Sequence, residues 1–351
     1  MTIDKSKPVM ITGATGYVAG WVVKRLLDEG LTVHAPIRSP ENKEKTKYLD
    51  RLAENSKGSI KYFKADLLTE GSYDEAMEGC ELVVHTASPF INSVKDAQKD
   101  LVDPALKGTI NVLESVNKTT TVKRVVLTSS CVAMYGDAKD TLDYPNQIMT
   151  EEIWNSTSSV NQSPYNYSKT VAEKKAWEIA NAQDRWKLVT INPSFVMGPA
   201  LNATTTTSES YSVLKQMGDG SFKTGVPKLG AGVVDVRDVA EAHFQAGFNA
   251  NAQGRYITSA HNTNFYEMAQ TLLPKYGDKY PVPKKALPKW LLSLVGPMVN
   301  KAFSRSFIKK NVNVPWNADN SKIKKELGME FRPLQTTMED SFQVLIDNKM
   351  I

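Results

Sequence analysis

Short apolar runs alternate, through the first half of the chain, with stretches whose apolar residues recur at helical spacing. Residues 9–11 read as a strand. A glycine-rich turn follows, and Val18, Val22, Leu26 and Leu27 then fall on one helical face that ends at Gly30, a residue suited to close a helix. Further strand candidates are 32–37, 60–63, 82–85, 125–128 and 188–191, with helical patterns near 73–77, 101–116 and 165–182 between them. Alternation of β and α predicts the α/β class: a doubly wound parallel sheet covered on both faces. Past Asn192 the alternation loosens. Residues 198–232 are rich in Gly, Thr and Ser, and 262–351 carry clustered prolines with short helical patterns. One late strand candidate, 255–258, fits back into the main sheet.

Composition narrows this picture only at its edges. The 351 residues are 41% hydrophobic and 23% charged, ordinary for a globular chain. A net charge of +5 is spread along the sequence without a basic stripe bearing aromatics, so nucleic acid is not an expected partner. Cys80 and Cys131 lack CxxC spacing, which argues against a disulfide or zinc framework. His34, His85, His243 and His261 show no metal-ligand spacing, and no serine nucleophile elbow occurs. Residues 1–8 are polar, with no signal-peptide core, and the apolar run 291–299 is too short to span a bilayer. The expectation is a cytoplasmic protein without a membrane partner, either monomer or homodimer.

The chemistry begins at the first turn. The first strand opens into Thr12-Gly13-Ala14-Thr15-Gly16-Tyr17-Val18-Ala19. Glycines there permit a sharp turn and a close backbone approach to a pyrophosphate, Ala19 fills a third small position, and the helix start offers free N–H groups. This favours a dinucleotide on a Rossmann sheet. NAD sites usually carry an acid at the end of the second strand, whereas this chain has Arg38, with Lys43 and Lys45 downstream. A guanidinium can grip a 2′-phosphate, so NADPH/NADP+ is the expected cofactor. Asp66, after the third strand, suits either the adenine end or a helix cap. The expected division is an NADP-binding Rossmann domain, 1–197 plus about 233–261, and a smaller, sequence-interleaved C-terminal substrate lobe, about 198–232 and 262–351.

Reducing a carbonyl needs a hydride, a proton donor and a group that polarises the oxygen. A tyrosine can donate the proton if a lysine one helical turn later stabilises its anion. Tyr-x-x-x-Lys occurs four times: Tyr135/Lys139, Tyr165/Lys169, Tyr211/Lys215 and Tyr280/Lys284. Prolines interrupt the last, Gly136 the first, and the third lies in the irregular region. Only Tyr165/Lys169 opens a long helical pattern between two core strands. The strand before it ends Thr128-Ser129-Ser130, which sets Ser130 at a carboxyl end, where its hydroxyl can polarise the carbonyl. Ser129 reads as an ordinary strand-end hydroxyl, and Trp21, Trp177 and Trp186 as packing residues.

These segments resemble the extended short-chain dehydrogenase/reductases almost from end to end. The likeness is greatest to the branch holding dihydroflavonol reductases, cinnamoyl-CoA reductases and microbial aldehyde and ketone reductases. It also rests on Val84-His85-Thr86-Ala87-Ser88-Pro89, Lys107-Gly108-Thr109, Asn192-Pro193-Ser194 and Gly254-Arg255-Tyr256. The resemblance implies that Ser130 polarises the carbonyl, Tyr165 protonates it, and Lys169 lowers the tyrosine pKa and holds the nicotinamide ribose. It implies that Gly13, Thr15, Gly16, Tyr17 and Val18 take the pyrophosphate, and that Arg38 and Lys45 hold the 2′-phosphate. Asp66 and Leu67 would lie by the adenine, Thr86 and Ala87 along the cofactor, and Pro193 and Val196 by the carboxamide. Plant flavonoid enzymes carry an asparagine shortly after the triad serine, where this chain has Met134 and Tyr135. The implied substrate is therefore an aldehyde or ketone without flavonoid specificity. A 3β-hydroxysteroid dehydrogenase, an NAD-dependent nucleotide-sugar epimerase or dehydratase, and a non-catalytic NADP-sensing protein remain the alternatives.

Overall fold

The computed structural model describes residues 1–88, 94–203, 208–299 and 303–351; Pro89 of the resembling segment lies outside them. Strands β1 (Val9–Thr12), β2 (Thr32–Ile37), β3 (Ser59–Lys64), β4 (Leu82–His85), β5 (Arg124–Thr128) and β6 (Lys187–Pro193) share one sheet. Helices α1 (Tyr17–Asp28), α2 (Lys43–Glu54), α3 (Asp74–Met77), α4 (Asp103–Lys118) and α5 (Pro164–Asn181) occupy the crossovers. The chain continues through β7 (Phe195–Met197), α6 (Glu209–Gly218), β8 (Val226–Pro227), β9 (Gly230–Asp235), α7 (Val236–Phe248) and β10 (Gly254–Thr258). The last strand of this group returns beside β6. The sheet order is β10-β6-β5-β4-β1-β2-β3, with every neighbour parallel.

Every strand of the main sheet except the edge strand β3, where only Phe63 is buried, is covered on both faces, which is why the apolar runs read as continuous. Val9 and Ile11 join one core with Val22, Leu26 and Phe244, while Met10, between them, joins the other with Val112 and Trp186. That alternation is the two-residue period of a strand. Gly30, at φ +80°, closes α1 by donating to the Leu27 carbonyl at 2.9 Å. Helix α2, which the sequence pattern does not predict, is rich in charge and fully buries only Thr46 and Leu49, with Tyr48, Leu52 and Ala53 packed beside them on the first core.

Beyond β10 follow β11 (His261–Asn264), α8 (Phe265–Tyr276), β12 (Ala286–Leu287), α9 (Lys289–Val299), α10 (Arg305–Asn311), α11 (Ser321–Leu327) and α12 (Leu334–Asp347). A second small sheet, β11-β9-β7, anchors a third core containing Leu214, Met268, Leu272, Met338 and Phe342. The main sheet reverses its winding between β1 and β4, and the crevice beyond their carboxyl ends is where such sheets bind ligands. Among the described residues no helix is long and apolar enough to cross a membrane, and no group of three or more His, Cys, Asp or Glu could hold a metal.

Candidate active site

The crevice is built from the ends of β1 and β4. Gly13 follows β1 with φ +68°, and a Cβ there would stand 3.0 Å from the Ala87 Cα. The loop is pinned by the Thr12 hydroxyl oxygen, which accepts the N–H groups of Thr86 (3.1 Å) and Ala87 (3.0 Å). The same oxygen lies 2.8 Å from His85 Nδ1. Burial, then the charge of Lys169, lowers the His85 pKa to about 3, so its ring is neutral and shares one hydrogen bond with Thr12. Sequence reading set His85 aside for want of metal spacing; in the fold it fastens the loop.

The start of α1 is left open. Gly16 occupies the cap position with no side-chain hydrogen bond, no acid lies in the first turn, and Thr15 and Gly16 are exposed. An uncapped helix N-terminus leaves N–H groups and a positive dipole end for an anion. Arg38, at the end of β2, and Lys45, in the first turn of α2, are exposed and make no ion pair among the described residues. Free N–H donors, unpaired cations and a glycine turn are what a phosphorylated dinucleotide requires, so the residues present fit one. Val18 packs on the first core. Tyr17 donates to the Gly198 carbonyl at 2.7 Å and meets Tyr211 edge-on, so its hydroxyl is used within the protein.

Asp66 caps no helix. Its carboxylate accepts the Leu68 N–H at 2.9 Å within the turn after β3, and Leu67 packs beside Gly108 on α4, where a Cβ would stand 2.5 Å from its Cγ. Pro193 ends β6, and Val196, half-buried, lies in β7 just beyond it. Thr86 and Ala87 are half-buried along the crevice.

Ser130 follows β5 and begins a short 3-10 turn, Cys131–Ala133. Its hydroxyl accepts the Val132 N–H at 3.3 Å and donates to the Pro193 carbonyl at 3.4 Å, two long bonds that little opposes breaking. Pro164 occupies the first turn of α5, where its missing N–H costs nothing. Tyr165 follows, with 51% of its surface in solvent, and Lys169 one turn on places Nζ 5.9 Å from the tyrosine ring centre. Lys169 donates to Ser88 Oγ at 3.1 Å. Burial pulls the Lys169 pKa down to about 8, against an opposing pull from Glu173.

One expectation meets a difference here. The tyrosine hydroxyl is pushed above its ordinary value, first by its crowded surroundings and then by Glu209 at the start of α6. Solvent reaches half the residue, so this is the effect of a cleft, not of full enclosure. Lys169, turned toward Ser88, does not offset it in this arrangement. The other Tyr/Lys pairs sort as the sequence suggested: Tyr211, although helical, is buried and donates to the Gly198 carbonyl at 3.1 Å. Met134 is fully buried and Tyr135 meets Trp316 edge-on, so both serve the core behind the site.

Glu173 was missed. It is 1% exposed and accepts hydrogen bonds from Ser129 and Arg255, among others. Its spacing of four from Lys169 on an already recognised helix was the available signal. Ser129 is thereby the buried structural hydroxyl its position suggested.

The fold agrees with comparison to known proteins. The profile of the NAD dependent epimerase/dehydratase family matches residues 9–257, and the chain belongs to that family. It is 35% identical over 345 residues to cinnamoyl-CoA reductase CAD2 of Medicago truncatula, covering 97% of this chain and 96% of that one. It is 35% identical over 318 residues to anthocyanidin reductase of Arabidopsis thaliana, covering 86% and 91%. Among solved structures, Gre2 of Candida albicans in complex with NADPH is similar with a TM-score of 0.78 and 28% identity, covering 97% of this chain and 99% of that one. The chain is thus an oxidoreductase of the extended short-chain dehydrogenase/reductases, with a nicotinamide dinucleotide as its cofactor.

Proposed function

We propose that this protein reduces an aldehyde or ketone to the alcohol with NADPH, using Ser130, Tyr165 and Lys169. The observation that carries the reading is that Lys169, one turn from Tyr165, donates to Ser88 beside the Ala87 that Gly13 of the glycine loop touches. Exposed Arg38 and Lys45 support the choice of NADPH, and the NADPH complex of the similar Gre2 supports it independently. Bound in that crevice, the dinucleotide supplies the hydride. Gly13, Thr15, Tyr17 and Val18 offer backbone N–H groups to its pyrophosphate, while Gly16, whose own N–H donates to the Gly13 carbonyl at 2.8 Å, keeps the loop tight against it. Asp66 and Leu67 flank the adenine end, Thr86 and Ala87 line its path, and Pro193 and Val196 border the carboxamide.

Ser130 exchanges its long bond to the Pro193 carbonyl for one to the substrate oxygen, which orients and polarises it. Tyr165, whose raised pKa keeps it protonated at neutral pH, donates its proton to that oxygen. Lys169, largely charged at neutral pH, stabilises the phenolate as it forms. The lobe formed by about 198–232 and 262–351 would cover the substrate.

The test mixes purified protein with NADPH and a panel of aldehydes, α-dicarbonyls, aryl ketones and dihydroflavonols. Tyr165→Phe keeps cofactor binding and loses about 10²–10⁴-fold in kcat, the range for a general acid. Full activity in that variant overturns the triad. No turnover on any substrate, with NAD recovered from the protein, points to an epimerase instead.

A further inference from the structure

We propose that Glu173 is the positioning residue of this site: its buried carboxylate clamps the helix bearing Tyr165 and Lys169 to the ends of β5, β6 and β10 and sets a negative charge one turn from Lys169. The inference rests on the triad reading above.

The geometry is dense. Glu173 Oε2 accepts from Ser129 Oγ at 2.5 Å and Asn192 Nδ2 at 2.8 Å, while Oε1 accepts from Arg255 Nε at 2.7 Å. Longer bonds from Thr190 and Trp177, each 3.3 Å, reach Oε1. The donors come from the end of β5, from β6, from β10 and from α5 itself. The amide of Asn192 also reaches the Ser130 carbonyl at 3.3 Å, so one side chain joins Glu173 to the backbone of the triad serine. A carboxylate has about four acceptor positions, and this one is filled on every side.

Arg255 balances the charge. It is 7% exposed, forms the ion pair with Glu173, and spends its Nη1 on the carbonyls of Glu151 (2.8 Å) and Ile153 (2.6 Å). Its guanidinium lies 3.8 Å from the Trp154 ring centre. A buried ion pair of this kind is weak grounds for stability, because desolvation offsets its attraction. What it does secure is register: α5 cannot slide or turn against the sheet without leaving a charge unpaired in the interior.

The charge also acts along the helix. Lys169 is faced by Ser88, by the Tyr165 ring and by the neutral His85, and no described side chain of α4 pairs with it. Around Glu173 stand Arg255 and the Cys131 thiol, with the Glu151 carboxyl beyond. Glu173 is the anion that opposes the desolvation of Lys169.

The test uses the full-length protein with ¹³C-labelled lysine. The Lys169 signal, assigned by its loss in Lys169→Met, is titrated by NMR. In Glu173→Gln its midpoint falls by about one pH unit, the lower range for removing a nearby opposite charge, and the alkaline limb of kcat moves down with it. NADPH affinity stays within twofold, and Glu173→Asp restores the midpoint. If Glu173→Gln fails to fold, Glu173→Gln with Arg255→Gln is compared with Arg255→Gln alone, so that the Glu173 charge is again the only difference and the same fall in midpoint is expected. An unchanged Lys169 midpoint in the folded variant overturns the proposal, since a merely structural carboxylate would not move it. Failure of the triad reads separately: Tyr165→Phe and Lys169→Met would then keep full turnover, whatever the titration shows.

Discussion

Arg38 offers the sharpest test of cofactor choice, because it is solvent-exposed and holds no ion pair that its loss would break. Arg38→Ala therefore leaves the fold untouched and removes only what the guanidinium does for a ligand. A hydrogen-bonded contact to a charged group contributes about 1.5–3 kcal/mol net. At about 1.4 kcal/mol per factor of ten, the NADPH KM rises about 10–100-fold. The lower part of that range is expected, since Lys45 remains and an exposed pair is screened by salt. NADH lacks the 2′-phosphate, so its KM stays within twofold. Initial rates with each cofactor at low ionic strength and at about 0.5 M salt measure both quantities, and the wild-type preference for NADPH shrinks at the higher salt. An unchanged NADPH KM, or an equal rise for NADH, refutes the assignment of Arg38 to the 2′-phosphate.

Two further outcomes follow from the geometry of the loop and of Lys169. Gly13→Ala places a Cβ 3.0 Å from the Ala87 Cα on a residue at φ +68°, so the turn must shift; the conformation alone costs about 1–2 kcal/mol, and thermal melting with and without NADPH shows a lower Tm and a smaller stabilisation by cofactor. Lys169 has a folded pKa of about 8, below its ordinary value, so the folded state binds fewer protons than the unfolded chain between there and about 10.5. Its contribution to stability therefore rises with pH through that window, while turnover falls as its charge leaves. The Tm of wild type relative to Lys169→Met moves in favour of wild type between pH 7 and 10, and a constant difference would count against a depressed lysine.

Much of this was legible before any coordinates. The strands of the main sheet, apart from the exposed edge strand β3, are buried on both faces, so their apolar runs are continuous, and all seven strands have limits within two residues of the pattern. The glycine loop was readable because backbone freedom at Gly13 leaves a residue-type signature. Helix α2 was not, because its short apolar face (Tyr48, Leu49, Leu52 and Ala53) is set among charged residues and never forms a long apolar run. The His85–Thr12 contact joins residues 73 apart in sequence, and Arg255 meets Glu173 across 82. Single polar residues carry no mark of a distant partner, so such pairs emerge only when the sheet is assembled. The sense of the Tyr165 pKa was likewise invisible, because it depends on where the Lys169 amine turns and on Glu209 from a different helix.

The late arrival of β10 has a consequence for how the chain is made. During synthesis every other strand of the main sheet emerges first, and β6 then presents a bare parallel edge to the surroundings. Until Arg255 follows, the Glu173 carboxylate has no counter-charge and resists being drawn out of water. The main sheet is therefore completed, and the Glu173 charge paired, only once residues 254–258 are available to pair with β6. A chain ending before that point would leave the β6 edge unpaired and the Glu173 carboxylate without its counter-charge.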